Sequence, residues 1–177
     1  MKTLEMQACK EIAGIALPSN IIAYRMDWHR DDKHDDMRKM DGIDLGNCSC
    51  CDYFVIRDKY VTLVETTRLG CTVKRIEEEC KCMQMPESEA KKYLHGEILR
   101  ENVMKVYGSL LMLCRLSAIC SSIKDRLKDK KYEVWIVDES KFPETYGLAA
   151  RLKSTFGRAV ENEIRVLSPT AMERVLK

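Results

Sequence analysis

The chain contains no run of about 18 apolar residues, so no segment reads as a membrane-spanning helix. Its N-terminus, Met1-Lys2-Thr3-Leu4-Glu5, carries an acid where a secretory signal would carry its apolar segment. The expectation is a soluble, cytoplasmic protein with no membrane partner. An excess of charge of one sign is also lacking. Thirty basic residues against 28 acidic ones leave a formal net charge of +2, too little to attract nucleic acid or an anionic membrane from a distance. Any such contact must come from a local patch. The sequence has no low-complexity segment, no internal repeat and no flexible interdomain linker. It also lacks a Gly-rich phosphate loop, a G-x-S-x-G elbow and an H-E-x-x-H pair, so nucleoside triphosphate hydrolysis, serine esterase and zincin chemistry find no support.

What is present is 177 residues, 45% hydrophobic and 33% charged. That length and composition suit one globular domain with its own core, spanning residues 1–177. Nine cysteines are many for such a chain, and an odd number fits a fully paired secreted disulfide framework poorly.

Periodicity sets out the elements. Leu4, Ala8, Ile12 and Ile15 fall at helical spacing and predict an opening helix over 3–17, stopped by Pro18. Ile21-Ile22-Ala23-Tyr24 predicts a short strand leading into a long, charge-dense loop that reaches Asp44. Asp52-Tyr53-Phe54-Val55-Ile56 and the run from Tyr60 to Thr67 predict a hairpin turning at Asp58-Lys59. Helices are expected over 73–82, over 88–129 with a break at His95-Gly96, over 144–156 and over 170–176 after Ser168-Pro169. Strands are expected over 132–137 and 163–167. The order describes an α/β fold with a mixed sheet.

The hairpin carries chemistry. With Asp58-Lys59 as the turn, Ile56 faces Val61, Phe54 faces Leu63 and Asp52 faces Glu65. Alternation puts these six residues and Thr67 on one face, apolar at the turn end and acidic at the other. Like charges directly opposite destabilise a hairpin unless a cation offsets them. Magnesium or manganese suits two adjacent carboxylates and a backbone carbonyl such as that of Thr66. The plainer reading is that both acids are strand-end residues facing water.

Asp52 opening one strand, followed by Leu63-Val64-Glu65-Thr66-Thr67 in its hairpin partner and then by a helix and a further strand, resembles the PD-(D/E)XK nuclease superfamily over roughly residues 1–140. The resemblance implies a restriction-endonuclease-like, three-layer α/β/α sandwich around a mixed sheet. It implies Mg or Mn held by Asp52, Glu65 and Thr66, and hydrolysis of phosphodiester bonds in DNA ahead of RNA. Thr67 stands where the superfamily places a lysine and supplies no positive charge; Arg68, Lys74 and Arg75 are the nearest downstream cations and candidate phosphate contacts. The alternative is a catalytically degenerate module on the same fold that binds nucleic acid or a protein partner.

Three further groups stand out. Cys48, Cys50, Cys51, Cys71, Cys80 and Cys82 fall before and after the hairpin and could gather a structural zinc or a disulfide such as Cys48–Cys71, although neither half has a C-x-x-C gap; free buried thiols are the plain alternative. Cys9, Cys114 and Cys120 lie on helical patterns and are expected in the core. The segment His29-Arg30-Asp31-Asp32-Lys33-His34-Asp35-Asp36 reads as a solvated loop, from which Asp32, Asp35 or Asp44 could reach Asp52; His95 reads as a helix-end residue. Basic residues at 124–131, Arg151, Lys153 and Arg158 suit phosphate contacts or an ordinary wet surface. The long apolar helix could also serve as a homodimer face.

Overall fold

The computed structural model describes residues 8–26, 43, 45, 48–140, 145–156 and 164–177. Its strands are β1 (Ala8–Cys9), β2 (Glu11–Ile12), β3 (Ile15–Ala16), β4 (Ile22–Arg25), β5 (Tyr53–Ile56), β6 (Tyr60–Thr67), β7 (Lys131–Asp138) and β8 (Ile164–Leu167). Its helices are α1 (Leu69–Cys82), α2 (Glu87–Ile119), α3 (Ser121–Leu127), α4 (Thr145–Phe156) and α5 (Pro169–Leu176).

The β5–β6 hairpin turns where the sequence predicts. Arg57 donates its amide to the Tyr60 carbonyl at 2.9 Å, leaving Asp58 and Lys59 as the two turn residues. Ile56 then pairs with Val61 and Phe54 with Leu63, as expected. This hairpin is the middle of a six-stranded sheet in the order β1-β4-β5-β6-β7-β8, antiparallel from β1 to β6 and parallel from β6 to β8. The protein is therefore mixed α/β. The segment from α1 to α3 makes the crossover that a parallel β6–β7 pair requires.

The central strands are buried on both faces. Phe54, Leu63, Val134 and Ile136 pack against Val106, Met112, Leu113 and Leu116 of α2, with Ile123 and Leu127 of α3 and Leu152 of α4. On the opposite face Val55, Val64, Trp135 and Val137 are covered by Ile12, Met172 and Leu176. Leu69, Val73, Ile76 and Cys80 of α1 close a third cluster with Ile98 of α2. Ser168 caps α5 by accepting the Ala171 amide at 3.2 Å, with Pro169 opening the helix as its sequence predicts.

Two expectations are corrected. The helix over 3–17 is not formed over residues 8–17: β1 joins the sheet edge and β2 pairs with β3, Ile12 opposite Ile15. Ala13 (φ 50°) and Gly14 (φ 73°) both occupy the left-handed region that a two-residue hairpin turn favours, and this turn overrides the helical spacing. Nor does α2 break at His95-Gly96; it runs for 33 residues and ends at Cys120, whose backbone is extended. Gly96 costs only about 1 kcal/mol in a helix interior, less than so long a helix gains from packing. His95 is thus a mid-helix residue.

One close approach fixes where α2 lies. Gly108 packs against the Cys48–Ser49 backbone so tightly that a Cβ there would overlap the Ser49 carbonyl and sit 2.8 Å from Cys48 Sγ. Next to it, Ser109 Oγ accepts the Cys51 amide at 2.8 Å and donates to the Lys105 carbonyl at 2.7 Å. The start of β5 is thereby tied to the middle of α2. Gly108→Ala is expected to destabilise the fold by about 2–3 kcal/mol through overpacking, whereas Gly96→Ala, where a Cβ meets nothing, should stabilise it by about 0.5–1 kcal/mol. Urea unfolding of the two variants checks both signs.

Candidate active site

The site forms at the end of the hairpin away from its turn. Asp52, immediately before β5, is 8% exposed, and Glu65, near the end of β6, is 4% exposed. Both are buried, which overturns the reading of two strand-end acids facing water. The register that sets Tyr53 opposite Val64 continues to Asp52 and Glu65. Thr66 holds Asp52 in place: its amide donates to Asp52 Oδ2 at 2.8 Å and its hydroxyl donates to the same oxygen. The Thr66 carbonyl lies on the same edge of the strand as that amide. Thr67, one residue on, is half-buried.

A positive charge reaches the acidic pair from α2. Lys105 Nζ donates to Glu65 Oε1 at 2.5 Å and lies 3.5 Å from Glu101 Oε1. The lysine is 20% exposed and the glutamate 5%, so the pair is shielded from screening by salt. Glu65 Oε2 is buried and accepts no hydrogen bond. Asp52 Oδ1 accepts none from any described residue. Among the described residues each carboxylate thus has one oxygen engaged by the protein and one without a hydrogen-bond partner.

Electrostatics follow from that burial. Loss of water pushes the Glu65 carboxyl up to about 8, and the Asp52 charge adds to the rise while Lys105 opposes it. Burial alone would lower the lysine, but the Glu65 carboxylate reverses this and holds Lys105 above its ordinary value. Burial, with Glu65 second, raises the Cys51 thiol far above its ordinary value, so this cysteine is a neutral core residue and not a nucleophile.

Beyond Thr67, α1 starts without a side-chain cap of its own. Asp138, paired with Thr67 across the parallel ladder, accepts the Leu69 amide at 3.1 Å. Ser140 Oγ accepts the Gly70 amide at 2.8 Å. Asp138 Oδ1 also accepts from the amide and hydroxyl of Ser140, so this buried acid is committed to holding the start of α1. Arg68, Lys74 and Arg75 are all exposed around that helix, Arg68 paired with Glu139 and Arg75 with Glu79. The basic residues at 128–131 lie at the other end of the sheet, since Lys131 pairs with Tyr60 beside the hairpin turn.

The sulfur atoms do not form one site. Cys50 and Cys51 belong to the main core, Cys80 to the cluster under α1, and Cys71 and Cys82 are exposed. All nine cysteines are free, so no Cys48–Cys71 disulfide is present. Among the described residues no group of three or more histidine, cysteine or acidic side chains gathers as a metal cage. Cys120 is buried as expected, but Cys9 lies half-buried on a strand and Cys114 is exposed. The residues at 29–36, Asp44 and Arg158 lie outside the described residues.

Sequence reading missed Lys105, although a signal for it exists. Asn102, Lys105 and Ser109 form a polar line at spacings of three and four along a face whose neighbours Ile98, Val106 and Leu113 are buried. Polar residues set into a core-facing stripe are the feature to look for.

The folded chain holds the Glu65 proton more tightly than the unfolded chain, whose value is near 4.5. Native protein therefore binds an extra proton between about pH 4.5 and 8, and this contribution to stability, complete below 4.5, is lost as pH rises through about 8. Glu65→Gln should flatten that fall; urea midpoints of both proteins across this pH range measure it. Comparison with family models, curated proteins and solved structures finds no match to this chain.

Proposed function

We propose that the protein is a divalent-metal-dependent nuclease hydrolysing phosphodiester bonds in DNA, with Asp52, Glu65 and Lys105 as its working residues. The observation that carries the reading is the Lys105 ammonium on Glu65, which brings to the carboxylate pair the charge that Thr67 lacks. The β4–β5–β6 meander, with Asp52 at the head of its second strand and Glu65 in its third, supports a restriction-endonuclease-like core. So does the crossover to the parallel β7.

The donor set fits a hard cation. Glu65 Oε2 is buried without a partner, Asp52 Oδ1 is open, and the Thr66 carbonyl shares their end of the sheet. These three groups would hold Mg or Mn, which when bound activates water and offsets charge on the phosphate. The chain's own side chains do the rest. Thr66 fixes Asp52 so that one oxygen stays aimed and the other stays free. Lys105 sets its charge where the phosphate gains charge, in a site shielded enough for that charge to act strongly. Arg68, Lys74 and Arg75 provide exposed positive groups for the flanking phosphate backbone.

Labelled linear, circular and single-stranded DNA should be cut with Mn²⁺ or Mg²⁺ and left intact with chelator. Asp52→Asn, Glu65→Gln and Lys105→Met should each lose roughly 100-fold or more in rate while remaining folded. Binding of Mn²⁺ should weaken as pH is lowered, because the metal competes with the proton that burial favours on Glu65 in the free site. Adding Thr67→Lys to Lys105→Met should restore part of the loss, because both positions flank Glu65. Folded wild-type protein that cuts neither DNA nor RNA would leave Lys105 as a structural counter-ion and favour a module that binds without cutting.

A further inference from the structure

One surface remains unexplained by the core or by the site. Met104, Tyr107 and Leu111 of α2 are 57%, 49% and 46% exposed. Cys114 and Ala118 continue the line and are exposed as well. The spacing alternates three and four over positions 104, 107, 111, 114 and 118, the repeat of a coiled-coil seam. The stripe runs for about 21 Å at 1.5 Å per residue. It lies away from the face bearing Val106, Met112, Leu113 and Leu116, so α2 is apolar on two sides, the pattern of a helix covered all round.

We propose that this stripe is a homodimer interface, covered by α2 of a second copy running antiparallel about a two-fold axis that passes midway between Tyr107 and Leu111. In that arrangement Met104 faces Cys114 of the second copy and Tyr107 faces its Leu111. The two-fold repeats both contacts, so one stripe completes the other. Charge selects the direction. Glu101 and Arg115 flank the stripe at opposite ends and share one heptad position, so antiparallel packing brings each beside its opposite on the second copy. Arg115 makes no ion pair with any described residue. A parallel pair would instead set Glu101 beside Gly96 and Arg115 beside Leu110, leaving Arg115 unanswered, while Glu101 keeps only its contact with Lys105 of its own chain. The proposal does not depend on the chemistry at Asp52 and Glu65.

Sedimentation of the full chain across a dilution series tests it. Wild type should run at twice the 20.5 kDa chain mass, and Leu111→Lys, with unchanged circular dichroism, at the single mass. Arg115→Glu should weaken the dimer at least tenfold, and the exchange Glu101→Arg with Arg115→Glu should restore it. Mild oxidation with diamide followed by peptide mapping should find Met104→Cys linked to Cys114 of the second copy and no Cys114–Cys114 link in wild type, because antiparallel packing separates the two Cys114 residues. Monomeric wild type at every concentration, a dimer unaffected by Leu111→Lys, or a Cys114–Cys114 link in wild type would each overturn the proposal.

Discussion

A glutamate almost out of water, with one oxygen on a lysine and the other on nothing, is the constraint around which this protein is arranged. The sheet continues past Glu65 to Thr67, and α2 closes over it. The arrangement survives because Lys105 comes from a separate element that is itself pinned. Gly108 permits contact with the chain before β5, and Ser109 ties that chain down by the Cys51 amide. A side chain at 108 would displace the helix and, one turn away, the ammonium on Glu65. Packing and charge at this site are one mechanical problem.

The hairpin was legible because its information is local. A two-residue turn between β-rich runs fixes register, and register alone aligns Asp52 with Glu65. The order of later helices and strands was legible for the same reason. Lys105 was not, since 40 residues separate it from Glu65 and only tertiary packing brings the two together. The opening segment misled because Ile12 and Ile15 satisfy helical spacing and also face each other across a tight hairpin; Ala13 and Gly14 decide between them. The cysteines around the hairpin are free, as the plain reading had them, and are close in sequence only. Cys80 points into one cluster and Cys51 into another, so six thiols near a hairpin are not six thiols in one place.

Most of the molecule is organised by α2. Its inner side fills the core, Lys105 reaches Glu65 while Ser109 ties down the chain before β5, and its outer side carries the exposed stripe. A helix so occupied tolerates few substitutions, and for a different reason on each side. On the opposite face of the sheet another buried acid is handled more simply. Glu133 accepts from Arg57 and Thr62, and the Arg57 guanidinium lies 4.7 Å from the centre of the Trp135 ring. The Arg57 guanidinium gives this acid a direct counter-charge. Glu65 differs in having one buried oxygen without a hydrogen-bond partner.

The parallel pairing of β6 with β7 has a kinetic consequence. Glu65 and its ladder partner Ile136 are 71 residues apart, with three helices between them. The β5–β6 hairpin can close quickly by itself, whereas β7 can join only after a long loop has been brought round. Until then the free edge of β6, rich in Val and Thr, is an unpaired template for another chain. Synthesis reaches β6 well before β7, so the nascent protein carries this exposed edge through the interval in which α1, α2 and α3 emerge.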